Sequence, residues 1–175
     1  MSSAAGAVLE DVATVRWLGK QGLHLDEFND FLYRCWLTEQ ANPDYIIIHV
    51  GSNDMGILPK QTQAQLIKRI LTVTRSLLPH TIMFWSAILP RVHYPRARRP
   101  NKVERARVAI NRWVGRLMRF APGGLIPHPQ IVWDNKLLFR QDGVHLAEEG
   151  SLLLIRNFYQ ALVAAFNTLL ASPCI

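Results

Sequence analysis

Two hydrophobic rhythms alternate along the chain. The nearly continuous apolar runs at 45–50 (YIIIHV) and 81–87 (TIMFWSA) have strand length, and unbroken apolarity predicts strands covered on both faces. The segment 12–18 (VATVRWL), rich in β-branched residues and followed by Gly19 and Gly22, predicts a strand running into a turn. A weaker strand is expected at 130–133. Between these runs, apolar residues recur at three- and four-residue spacing, as one buried face of a helix requires. Phe28, Phe31, Leu32, Cys35 and Trp36 form the first such stripe; Leu66, Ile67, Ile70, Leu71, Leu77 and Leu78 form the second, stopped before Pro79. A third joins Val103, Ala106, Ile110, Trp113, Val114, Leu117 and Met118, with Gly123-Gly124 ending it. The last helix is expected over about 148–170, with Ile155, Phe158, Tyr159, Leu162, Phe166 and Leu169 facing inward.

Strands alternating with helices imply right-handed βαβ units, hence a parallel sheet with helices on both faces. The expected fold class is α/β, a three-layer α/β/α sandwich with a flavodoxin-like sheet. With 175 residues and 49% hydrophobic content, the chain has the size of one domain, 1–175.

Composition narrows the picture further. Cys35 and Cys174 are too few for a disulfide framework, which fits a reducing compartment. MSSAAGAVLEDV lacks the basic segment and apolar stretch of a secretory signal. The apolar stretch 152–170 is interrupted by Arg156, Asn157, Gln160 and Asn167, and so reads as a buried helix and not a membrane span. The expectation is an intracellular, cytoplasmic protein with no membrane partner. Of the net charge of +7, nearly all is local: Arg91, Arg96, Arg98, Arg99, Lys102, Arg105 and Arg107 face the single acid Glu104. His24, His49, His80, His93 and His128 follow no metal-ligand spacing, so neither metal nor cofactor is expected.

Two segments place polar residues just past an apolar run: Gly51-Ser52-Asn53-Asp54 after YIIIHV, and Asp142-Gly143-Val144-His145 before the last helix. In an open α/β sheet ligands bind beyond the carboxyl ends of the strands, which is where Asn53 falls. An Asp three residues before a His can orient the imidazole and stabilise its charged form, the pairing a general base requires.

Taken in this order, Gly22, then Gly51-Ser52-Asn53-Asp54, then Asp142-Gly143-Val144-His145, the chain resembles the SGNH (GDSL-like) ester hydrolases over roughly 12–170. The resemblance implies a serine esterase in which His145 is the general base and Asp142 holds its tautomer. The Gly22 N–H and the Asn53 side-chain amide would form the oxyanion hole, while Asp54 holds the loop. Small acyl esters or acetylated sugars are the implied substrates.

The chain departs from that family in one respect. The nucleophile belongs to a Gly-Asp-Ser block ending the first strand, and MSSAAGAVLED contains neither block nor strand. The nucleophile is therefore unknown, and the expectation is an N-terminally truncated or decayed hydrolase, inactive or impaired as written. Without that central strand, either 12–18 pairs directly with 45–50 or the sheet has a gap. The competing expectation is a non-catalytic binding module of retroelement origin that contacts nucleic acid through 91–107. The sequence sets no oligomeric state.

Overall fold

The computed structural model describes residues 13–39, 42–95 and 97–171. Its elements, in order, are α1 (Phe28–Glu39), β1 (Tyr45–Ile48), α2 (Lys60–Leu77), β2 (Ile82–Ser86), α3 (Pro100–Leu117), β3 (Gly123–Ile126), a short 3₁₀ turn (Lys136–Leu138) and α4 (Glu148–Ala171). The sheet order is β1-β2-β3, every pair parallel, with Tyr45 opposite Ile82 and Met83 opposite Gly123.

Strand alternation divides the core. Ile46, Ile48, Met83 and Trp85 pack with Phe28 and Leu32 of α1, Ile67, Ile70 and Leu71 of α2, and Ile110 and Val114 of α3. Tyr45, Ile47, Ile82, Phe84 and Ile126 turn the other way and meet Leu154, Phe158, Ala161, Leu162 and Ala165 of α4. Three helices on one face and one on the other make the expected α/β/α sandwich, and the two unbroken apolar runs are strands because both of their faces are covered. Among the described residues no helix is long and apolar enough to cross a membrane.

Several expectations are corrected. Residues 13–18 form no strand and do not pair with β1; Val12 lies outside the described residues. Val15, Trp17 and Leu18 are exposed, so the run lacks the buried face that a strand of its composition needs. It is tethered by side chains instead, Trp17 stacking near Phe158 and Arg16 pairing with Glu39. The third strand is not 130–133, which is a turn, but Gly123–Ile126. A Cβ at Gly123 would lie 2.0 Å from the Met83 carbonyl oxygen, and its φ is +98°, so the glycine pair starts a strand in close backbone contact instead of ending α3. The inward stripe of α4 is rotated by about one position, to Leu154, Phe158, Ala161, Leu162 and Ala165. Ile155, Tyr159 and Phe166 are half-buried, and the Leu169 side chain lies outside the described residues.

Candidate active site

Loops leaving the carboxyl ends of β1 and β2 meet the turn before α1. That turn runs from Lys20 to Leu23, closed by a Leu23 N–H to Lys20 O bond of 3.3 Å, with Gly22 at φ +71°. This is the turn position that glycine occupies without strain. Three side-chain bonds stitch the turn to the loop after β1. Asn53 Nδ2 donates to Leu23 O (3.1 Å), Asp54 Oδ2 accepts from the Leu25 N–H (3.1 Å), and Asp54 Oδ1 lies 3.0 Å from His24 Nδ1. Asp54 is 1% exposed, and burial raises its pKa against the lowering effect of these two bonds. Asp54 thus holds the loops together and does not face the cleft.

The segment after β2 is clamped from α3. Asn111 accepts from the Ile88 N–H (2.9 Å) and donates to Ile88 O (2.9 Å), while Arg107, one turn earlier, donates to the same carbonyl (2.8 Å). This clamp aims Arg91, whose Nη2 donates to Asn53 Oδ1 at 3.1 Å. The bond from Arg91 fixes which end of the Asn53 amide is the oxygen and turns its N–H groups the other way. Leu23 takes one of the two, which leaves the second for a ligand. Gly22, Asn53 and Arg91 line one open cleft of about 250 Å³, together with His24, Met55 and Pro95.

Asp142 and His145 are not in the lining of this cleft; their loop packs at Gly143 against Val92 and His93, next to Arg91 in the chain. Asp142 Oδ2 is 2.7 Å from His145 Nδ1, and Oδ1 accepts from the backbone N–H of Val144 (2.8 Å) and His145 (2.9 Å). The imidazole bond, then the two backbone bonds, hold the Asp142 carboxyl well below the usual carboxylate range. Nδ1 being engaged, His145 leaves Nε2 as its working nitrogen. The loop docks through the His93 N–H, which donates to Gly143 O at 2.9 Å. Burial lowers the Arg91 pKa, while the charges of Tyr94 and Asp142 act in the opposite direction.

The structure also contains a polar chain that the sequence reading missed. Ser86, 0% exposed, lies 2.7 Å from His49 Nδ1 and 2.8 Å from His128 Nε2, and Asn157 Nδ2 lies 3.0 Å from His128 Nδ1. An amide nitrogen only donates, so His128 Nδ1 is the acceptor and its proton resides on Nε2. Ser86 therefore accepts from His128, and its second hydrogen bond, to His49 Nδ1, completes the chain. His49, expected inside a buried strand, stands just past β1 and is exposed at the sheet edge. Burial lowers the His128 pKa to about 4.

The basic stretch does not act as a unit. Arg91 is turned into the cleft, and Arg107 is bound to Glu104 (Nε to Oε2, 2.8 Å) as well as to Ile88. Arg98, Arg99, Lys102 and Arg105 are exposed, and Arg96 lies outside the described residues. Among the described residues no cluster of three or more metal-ligating side chains occurs.

A family model described as the GDSL-like lipase/acylhydrolase family matches residues 5–153. No curated protein sequence matches. Among solved structures, the chain is similar to a family 3 carbohydrate esterase from Clostridium thermocellum, with 18% identity, a TM-score of 0.62, and 94% of this chain and 86% of that one covered. It is also similar to the psychrotrophic esterase EstA from Pseudoalteromonas sp., at 13% identity and a TM-score of 0.63, covering 93% and 85%. A GDSL-like lipase from Bacteroides thetaiotaomicron matches at 19% identity and a TM-score of 0.62, covering 82% and 73%.

Proposed function

The chain belongs to the GDSL-like lipase/acylhydrolase family, and from that premise we propose that it carries the acid–base and oxyanion half of a serine ester hydrolase. His145 is the general base, accepting a proton on Nε2, and Asp142 fixes its tautomer and stabilises the imidazolium that forms. The free Asn53 N–H and the Gly22 backbone N–H donate to the oxyanion of the tetrahedral intermediate. The observation that carries this reading is the Asn53 amide, oriented from one side by Arg91 and from the other by Leu23 at the rim of a cleft that also holds Gly22.

The substrate class is a small acyl ester or an acetylated sugar, in keeping with an open cleft of about 250 Å³ and with the esterases among the structural neighbours. The nucleophile remains unassigned. Ser86 has an imidazole within reach but is fully buried, and Ser52 has no base beside it among the described residues. Hydrolysis by this chain alone is accordingly impaired. Fluorophosphonate labelling with peptide mapping tests this: the expected result is no adduct that depends on His145. An adduct on Ser52, Ser2 or Ser3 that disappears in His145→Ala would show a working, rewired hydrolase.

The second reading, a module contacting nucleic acid through 91–107, rests on four exposed cations, Arg98, Arg99, Lys102 and Arg105, because Arg91 and Arg107 are engaged internally.

A further inference from the structure

Helices α2 and α3 carry nine cationic side chains and one acid, Glu104, which is already bound to Arg107. Helical geometry sorts these charges into stripes. Lys68, Thr72 and Arg75 lie within roughly 60° of one another around α2, and Arg112 and Arg116 within roughly 40° around α3, at about 100° per residue. Near the C-terminal ends of the two helices lies an open groove of about 310 Å³. Lys68, Arg75, Thr72 and Ser76 supply its polar lining, and Leu71 and Met118, both buried, supply an apolar floor. Lys68, Arg75, Arg112 and Arg116 are exposed and have no ion-pair partner among the described residues. Just past α3 stands Phe120, 91% exposed, with the Arg119 guanidinium 5.5 Å from its ring centre.

An exposed aromatic alone means little. Here it sits two residues beyond the groove floor, at the end of an arginine stripe. We propose that this face of α2 and α3 is a binding surface for single-stranded nucleic acid. Phosphates would run along Lys68 and Arg75 and along Arg112 and Arg116, with an unpaired base stacked on Phe120. An acidic peptide would satisfy the cations but leaves Phe120 without a role, and in a duplex the bases are already stacked on each other. The helix ends that form the groove lead into the amino ends of β2 and β3, whereas the hydrolase site lies beyond the carboxyl ends of β1 and β2. The proposal therefore stands apart from the esterase reading, and it uses a different surface from 91–107.

Fluorescence anisotropy with labelled oligodeoxythymidylate and oligouridylate, titrated with the full chain at several salt concentrations, tests it. The expected result is saturable binding that weakens with salt. Lys68→Gln with Arg75→Gln should lower the salt slope by roughly 1.4, the effect of losing two phosphate contacts on a single strand. Phe120→Ala should weaken binding about 5- to 150-fold without changing the slope, and Arg98→Gln with Arg99→Gln should change neither. All these side chains are exposed, and circular dichroism verifies that each variant keeps its fold. Four results would overturn the proposal: no binding at low salt, equal affinity for duplex DNA, loss in the Arg98/Arg99 variant alone, or a Phe120-independent interaction that polyglutamate displaces.

Discussion

Asp142 receives three hydrogen bonds from donors that its own loop supplies, and this makes the pair with His145 a local construction. Its carboxyl pKa is depressed in the fold, so its contribution to stability is present above the unfolded value of about 3.9 and is lost as pH falls through the folded value. Carbon-detected NMR titration should find Asp142 still ionised at pH values where ordinary aspartates are half protonated; a normal titration midpoint would mean that the three bonds do not persist in solution. The pair was legible in the sequence because three residues of spacing determine it. Asn53 was legible by its place after a strand. The role of Arg91 was not, since what separates it from Arg98 in the same run is a contact with Asn53, 38 residues away. Ser86 and His128 were hidden for the same reason, being partners across 42 residues.

At the level of elements, periodicity identified helices well and strands only where both faces are covered. Residues 13–18 include β-branched Thr14 and Val15 yet lie exposed, because propensity without a buried face does not hold a strand. Gly123-Gly124 misled in the opposite sense: glycines read as a helix stop are the entry to β3, where the chain passes so close to Met83 that a side chain is excluded. Gly123→Ala should therefore destabilise the fold by more than about 3 kcal/mol, since it combines strained φ with a backbone clash in the sheet. Urea unfolding checks this, and a loss under about 1 kcal/mol would mean that β3 does not pair with β2 in this register.

Over the whole molecule, the alternation of strands and helices was enough to read a parallel sheet with helices on both faces, because βαβ units have few ways to fold. What it could not reveal is how the layers are joined. The chain from His49 through Ser86 and His128 to Asn157 links the ends of β1, β2 and β3 to α4. Burial, with a smaller contribution from the charge of His49, keeps the His128 imidazole neutral in the native state until protonation near pH 4, below its usual 6.5. The unfolded chain takes up that proton first, so stability should fall as pH drops from about 6.5 to 4, by on the order of 3 kcal/mol. Urea unfolding across this range should show a flatter dependence for His128→Gln than for the wild type; identical profiles would remove the network from the account.

The central claim is that Gly22 and Asn53 together form an oxyanion site, and it can be tested without a nucleophile. In an NMR titration with methylphosphonate, a tetrahedral anion, the account predicts that the Gly22 backbone amide and the Asn53 side-chain amide shift together, and that Asn53→Ala weakens the response at least tenfold. Shifts confined to other residues, or a response that Asn53→Ala leaves intact, would contradict it.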